Sequence, residues 1–253
     1  MILAVDIGNT DIVVGFYDTQ WNHVLRVPSH IKMDVSGYEM KIREFLLEDN
    51  IDLTTLDGAV ISSVVPDLTA PIRAAIQLIY TGQIILVDGA CLQNLSLGKI
   101  DPYELGSDLA ANAVGAFDRY GQSAIVVDFG TALTFTSIND KGEILGVAIA
   151  PGVRTAMKSL SSNTARLPEI PLEIPKNAIG NNTVAALQSG IMQGYVGLVS
   201  HMVNQIKIEM DTNPKIIATG GLSFIFEPLH DLFDDMDTNL TLNGLRTIFH
   251  KLT

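Results

Sequence analysis

The sequence predicts an α/β protein made of two copies of one βββαβαβ-type unit, and three observations lead there. The first is a repeated phrase. ILAVDIGNTDIVVGFYD and, later, AIVVDFGTALTFTSIND both end an apolar run in Asp-x-Gly, at Asp6-Ile7-Gly8 and Asp128-Phe129-Gly130, 122 positions apart in a chain of 253. The second is the order of hydrophobic patterns, in which three short runs precede alternating helix and strand in each half. The third is composition: 47% hydrophobic and 17% charged residues supply core for one large or two modest domains.

In the first half, Ile2 to Val5 and Ile12 to Phe16 read as strands joined by a Gly8-Asn9-Thr10 turn, and His23 to Val27 as a third strand completing the meander. After Ser36-Gly37, Met40, Ile42, Phe45 and Leu46 recur at helical spacing. Gly58 to Val65 reads as a buried strand, Asp67 to Tyr80 as a helix opened by Pro66-Asp67, and Ile84 to Val87 as another strand. Past the Pro102 and Gly106 loop, the Ala-rich stretch Asp108 to Tyr120 is expected to be a helix leading into the second half.

There the meander returns as Ala124 to Val127, Leu133 to Ile138 and Ile144 to Ala150, with Asp140-Lys141-Gly142 as a turn. Helices near Val153 to Ser162 and Asn182 to Met210 follow, then a strand at Lys215 to Ala218 and a last helix near Leu242 to Lys251. No low-complexity linker separates the halves. The expected boundary falls within residues 112 to 123, giving domains 1–117 and 118–253.

Composition also excludes function classes. The formal charge of −12, from 28 acidic and 16 basic residues, repels a phosphate backbone and supplies no basic run for nucleic acid or anionic lipid. The lone Cys91 cannot form an internal disulfide and reads as a small buried apolar residue. Asp6 and Asp11 stand where a secretory leader would be basic and then apolar, and no apolar run approaches the roughly 18 residues of a membrane span. A soluble, cytoplasmic protein is expected. The five histidines are scattered without ligand spacing, so none is assigned a metal.

The repeated turns carry the chemistry. Gly, Asn and Thr in a hairpin turn present backbone N–H groups and hydroxyls suited to phosphate. An Asp at the strand end can hold a hydrated cation, since Mg²⁺ typically keeps several waters and uses one or two carboxylates. Two such units facing one another would form a cleft. Neither GxxxxGK[ST] nor GxGxxG occurs, which leaves the paired turns to handle phosphates.

Asp6-Ile7-Gly8-Asn9-Thr10 and Asp128-Phe129-Gly130-Thr131-Ala132 resemble the two phosphate motifs of the acetate and sugar kinase, Hsp70, actin superfamily. Within it the whole chain is similar to type III pantothenate kinases. Pro102-Tyr103-Glu104-Leu105-Gly106-Ser107-Asp108, Gly146 with Pro151-Gly152, Thr164-Ala165-Arg166-Leu167-Pro168, Gly180-Asn181-Asn182-Thr183 with Ser189-Gly190-Ile191, and Thr219-Gly220-Gly221-Leu222 follow in that family's order.

The resemblance implies a duplicated ribonuclease H-like (actin-like ATPase) fold and ATP-dependent phosphorylation of pantothenate, the first committed step to coenzyme A. It implies that Asp6, Ile7, Gly8, Asn9, Thr10, Asp11, Ile12 and Val13 form the first ATP-phosphate segment and that Thr131 contributes to the second. From spacing alone Asp108 reads rather as the N-cap of its Ala-rich helix; it is the resemblance that implies the catalytic base. Gly106, Ser107 and Leu109 flank it in the substrate-binding turn, Tyr103 lines the same pocket, and Thr183 resembles another pantothenate contact. Asp128 resembles the site of an activating monovalent cation, K⁺ or NH₄⁺, and Asp6 is the candidate for Mg²⁺.

The resemblance further implies a homodimer with substrate near the interface. Gly190, Gly194 and Gly197 form a face without side chains that would serve it, or would seat another helix of the same subunit. Two positions depart from the family pattern: Leu109 stands where Gly-x-Asp-Arg has arginine, and Asn181 where lysine is usual. Arg154, Lys158 and Arg166 are candidate replacements for the lost charge. The departures keep two alternatives open, a catalytically weak nucleotide-binding accessory or regulatory factor, and a kinase of another small hydroxy compound.

Overall fold

The computed structural model describes residues 1–164 and 166–253; Ala165, within the Thr164 to Pro168 motif, lies outside the described residues. The chain forms two compact units, Met1–Asp118 with Asn239–Thr253, and Arg119–Thr238.

In the first unit, β1 (Ile2–Ile7), β2 (Asp11–Tyr17) and β3 (Trp21–Pro28) make an antiparallel meander, and β4 (Gly58–Ser63) and β5 (Ile84–Val87) add in parallel. The order is β3-β2-β1-β4-β5. Strands β1 and β4 are buried at nearly every position because both sheet faces are covered. One face (Leu3, Val5, Ile7, Ala59, Ile61) packs against α1 (Val35–Glu48) and α2 (Pro66–Ile79). Asp34 caps α1 by accepting from the Gly37 N–H at 2.8 Å. The buried stripe of α1 is Tyr38, Ile42 and Leu46, whereas Met40, expected in that stripe, is 61% exposed.

After a single turn, α3 (Gly89–Leu92), the chain enters α4 (Ser107–Tyr120), which crosses the C-terminal helix Leu240–Leu252. The crossing is made by two glycines. A Cβ on Gly115 would lie 2.8 Å from the Leu240 carbonyl oxygen, and one on Gly244 would enter the Ala111 carbonyl. Thr241 donates to Asn112 at 2.8 Å, Trp21 Nε1 to Asn243 at 2.7 Å, and Leu242, Leu245, Ile248 and Phe249 are buried. The C-terminal helix packs on β1 and β4. It therefore belongs with the first unit, in contrast to the expected 118–253 grouping, and the second unit is an insertion between two helices of the first.

The second unit repeats the plan with β6 (Ala124–Phe129), β7 (Ala132–Ile138), β8 (Ile144–Pro151), β9 (Lys215–Thr219) and β10 (Asp235–Met236). Its order read from the meander edge, β8-β7-β6-β9-β10, matches the first sheet strand for strand. Helices α5 (Val153–Asn163), α6 (Thr183–Gln188) and α7 (Gly194–Met210) surround a core that includes Val127, Phe135, Val199 and Phe226. The expected single helix from Asn182 to Met210 is interrupted by a π turn at Ser189–Gln193. Arg119 binds Asp235 at 2.7 Å and Asp237 at 2.8 Å, and the Tyr120 hydroxyl donates to Asp235, so the two ends of this unit are tied together. Among the described residues, no helix is long and apolar enough to cross a membrane.

Candidate active site

Asp6 lies at the C-terminal end of β1, in register with Val13 of β2 and Ser62 of β4. Beyond it the chain turns through Gly8-Asn9-Thr10, with the Gly8 N–H donating to the Asp11 carbonyl at 3.0 Å. Asn9 and Thr10 are exposed, while Ile7, Ile12 and Val13 bury their side chains and can offer a ligand only main-chain groups. Sequence reasoning missed the residue that holds this turn. Buried Ser29 donates its hydroxyl to the Gly8 carbonyl at 2.6 Å and its N–H to the Thr10 carbonyl at 2.8 Å.

The neighbouring strand end positions Asp108. Ser62 Oγ lies 2.8 Å from Ser107 Oγ, which also accepts the Ser63 N–H at 3.0 Å and donates to the Ser63 carbonyl at 3.2 Å. Ser107 thereby docks the first turn of α4 on the end of β4, one strand away from Asp6. Asp108 is not the N-cap. It sits inside the first turn, with its Oδ1 accepting the Leu109 N–H at 2.8 Å, while the Gly106 carbonyl takes the Ala110 N–H at 3.0 Å. Gly106 also makes room for the carboxylate, since a Cβ there would lie 2.6 Å from Oδ1. Burial raises the Asp108 pKa above the usual carboxylate range, although the N–H groups of Leu109 and of Asp108 itself oppose that rise. A carboxylate held this way is a stronger proton acceptor than a solvated one.

The second unit builds a matching turn. Asp128 is the penultimate residue of β6, in register with Thr134 and Thr219, and the Gly130 N–H donates to the Ala132 carbonyl at 3.1 Å. This turn, Gly130-Thr131, is one residue shorter than its counterpart. The Thr131 carbonyl accepts the Gly152 N–H at 3.0 Å and the Thr155 hydroxyl at 2.7 Å, as the Thr10 carbonyl accepts Ser29. Tyr195 donates its hydroxyl to the adjacent Pro151 carbonyl at 2.6 Å. Gly220, at φ +88°, runs against the same turn, where a Cβ would come 2.5 Å from Asp128 Oδ1 and 2.7 Å from the Phe129 backbone.

The repeat therefore extends beyond Asp-x-Gly. The third strand of each meander ends in proline, Pro28 and Pro151, in register with Asp11 and Ala132, and the next residue supports the turn. That Pro-Ser and Pro-Gly pair was visible in the sequence as a second echo at nearly the same offset.

Asp6, Gly8 and Asp108 thus share one end of the first unit, while Asp128, Thr131, Thr155 and Gly220 share the corresponding end of the second. Tyr103 is 66% exposed and stands over Gly89 of α3. Thr183 is the exposed first residue of α6, whose cap is Asn182, accepting from Ala185 at 2.9 Å. Gly190, Gly194 and Gly197 are exposed, and among the described residues a Cβ on any of them would meet nothing within 4 Å, so no described helix of the same subunit is seated on the stripe. Arg154, Lys158 and Arg166 are all exposed. No group of three or more His, Cys, Asp or Glu poised to hold a metal occurs among the described residues. A single carboxylate at a strand end beside a turn, as Asp6 is beside Gly8-Asn9-Thr10, nevertheless fits a divalent ion that keeps mostly water and phosphate oxygens as ligands.

Two sheets of one strand order, each with an acid-bearing turn after its first strand, define a duplicated ribonuclease H-like fold of the actin-like ATPase and sugar-kinase type. A solved structure described as a Baf family transcriptional activator from Campylobacter jejuni matches with TM-score 0.61 at 20% identity, covering 99% of this chain and 98% of that one. Another, described as a 2-dehydro-3-deoxygalactonokinase from Sinorhizobium meliloti, matches with TM-score 0.61 at 10% identity, covering 99% and 96%. At such identities these likenesses speak to the fold alone. The model of the type III pantothenate kinase family matches residues 2–205. A type III pantothenate kinase from Moorella thermoacetica is 37% identical over 257 residues, covering 100% of both chains. The chain belongs to the type III pantothenate kinase family.

Proposed function

We propose that the protein transfers the γ-phosphoryl group of ATP to the primary hydroxyl of pantothenate, giving 4′-phosphopantothenate and ADP. The observation that carries the residue assignment is Asp108 in the first turn of α4, half-buried, raised in basicity and fastened through Ser107 to the strand beside Asp6. As the pantothenate oxygen bonds to the γ-phosphorus and the bond to the bridging oxygen of ADP breaks, Asp108 accepts the hydroxyl proton. The protein otherwise has to align the two substrates and offset developing charge. Main-chain groups of Asp6 to Val13 and the Thr131 turn take the ATP phosphates. Asp6 would hold Mg²⁺ and Asp128 the monovalent cation, K⁺ or NH₄⁺; bound there, such cations would supply offsetting charge for the phosphates.

Gly106, Leu109, Tyr103 and Thr183 face pantothenate in this reading. Ser107 would meet it through its main chain, because its hydroxyl is already saturated by Ser62 and Ser63. The chain works as a homodimer in the cytoplasm, a reading supported by the open glycine stripe at Gly190, Gly194 and Gly197. The test is formation of phosphopantothenate and ADP from pantothenate and ATP with Mg²⁺ and K⁺ present. Absence of product at millimolar pantothenate rejects the reading. Retained ATP binding in that case favours the accessory role that Leu109 motivates, since leucine cannot pair with the pantothenate carboxylate. Turnover with another polyol would favour the alternative substrate.

A further inference from the structure

The segment from Arg166 to Asn182 contains no helix or strand, yet it is fastened along its length. Gln188 Nε2 donates to the Pro171 carbonyl at 3.2 Å, Gln193 Nε2 to the Pro175 carbonyl at 3.2 Å, and the Ser189 hydroxyl to the Ala178 carbonyl. Ile170 is buried, and Leu167, Leu172 and Ile174 pack on the core of the second unit. The strap ends at Gly180, where a Cβ would collide with the backbone of Ala185 and Ala186, and then delivers Thr183 as the first residue of α6.

The donors come from the one irregular stretch of the long helix. A π turn closes i→i+5 where an α-helix closes i→i+4, so residues five apart return to the same side of the helix. Gln188 and Gln193 are five apart, the residue before the π turn at Ser189–Gln193 and its last residue. In an unbroken α-helix they would diverge by more than a third of a turn, and a strap running along the helix could not meet both. The extra residue therefore costs helical regularity and gains a ladder of side-chain donors for a proline-rich strap. Pro171 and Pro175 have no N–H of their own, so these stations are held through their carbonyls.

We infer that Gln188, Ser189 and Gln193 are positioning residues for pantothenate binding: the π turn latches the 166–182 strap so that Thr183 is presented to the substrate in one fixed place. This rests on the reading that Thr183 contacts pantothenate. Unlatching lowers the fraction of molecules competent to bind, which raises the apparent substrate constant in proportion while leaving the phosphoryl-transfer machinery intact.

The experiment compares wild type with the double variant Gln188→Leu/Gln193→Leu, with Ser189→Ala and with Ser189→Thr, recording kcat, KM for each substrate, thermal midpoint and amide hydrogen exchange of residues 166–183. The expected result is KM for pantothenate raised roughly tenfold in the double variant, as for one competent molecule in ten. KM for ATP and kcat should stay within about twofold, exchange should quicken in the strap, and Ser189→Thr should restore what Ser189→Ala loses. Variants of lowered thermal midpoint with unchanged KM for pantothenate would overturn the inference and leave the latch merely structural. Wild type that forms no phosphopantothenate would instead overturn the kinase reading, and unchanged exchange in the strap would overturn the latch independently of any substrate.

Discussion

Ser62 and Ser107, 45 residues apart, hold their hydroxyl oxygens 2.8 Å from each other at the end of β4. Both are buried, and the pair fixes where α4 begins. One hydroxyl offers one proton and two lone pairs. With Ser62 donating to it, the Ser63 N–H donating to it and its own proton on the Ser63 carbonyl, the Ser107 hydroxyl has nothing left for a substrate. Ser107→Ala is accordingly expected to lose about 1–3 kcal/mol of stability, because buried partners lose their mate. It should lower kcat more than it raises either KM, as measured by denaturant unfolding and steady-state kinetics. A raised pantothenate KM at unchanged kcat would return Ser107 to direct substrate contact.

Asp108→Asn should abolish turnover and leave ATP binding close to wild type, measured by calorimetric titration. It should also stabilise the fold in a pH-dependent way. Because the folded pKa lies above the unfolded value of about 3.9, the folded state holds its proton longer, and stability drains as pH rises through that window and stays lower above it. The thermal midpoints of wild type and variant should converge near the unfolded carboxylate value, at about pH 3.5, and separate in favour of the amide variant at about pH 7. Retained turnover in the variant would remove Asp108 as base.

Leu109→Arg is expected to lower KM for pantothenate about tenfold or more, since a charge-assisted hydrogen bond to a carboxylate contributes about 1.5–3 kcal/mol. Leu109 is half-buried in the first turn of α4, immediately beside the catalytic candidate. No change would mean that another cation already holds the carboxylate. Repeating the measurement with Arg154→Ala, Lys158→Ala and Arg166→Ala would identify which.

Gly244→Val should cost about 3 kcal/mol or more, because the new side chain enters the Ala111 carbonyl and neither helix backbone can yield cheaply. Gly146→Ala serves as the comparison, since a Cβ there meets nothing within 4 Å. Equal stability of the two variants would refute the close crossing. Since α4 carries Asp108, activity should fall with the stability of this crossing.

The meanders and their acid-bearing turns were legible because strand alternation and the Asp-x-Gly echo are local signals. The allegiance of the last helix was not. An amphipathic stripe says that a helix buries one face but not against which sheet, and only the facing glycines at 115 and 244 decide it. Asp108 read as a cap because capping and first-turn positions differ by a residue or two. The π turn left no periodic trace, since one extra residue in a helix with exposed glycines disturbs no hydrophobic spacing. Ser29 and Ser62 look like any other serine until the carbonyls and hydroxyls they meet are known.

The insertion of one unit within the other also sets an order of events on the ribosome. Residues 119–238 must be synthesised before Asn239–Thr253 can emerge, which at about 5–20 residues per second takes roughly 6–24 s. Throughout that interval the sheet surface bearing Ile2, Ala4 and Val60 lacks its C-terminal cover. The nascent chain thus carries its first-made sheet half-dressed until translation is nearly over, and that apolar surface is where a holdase chaperone would be expected to bind.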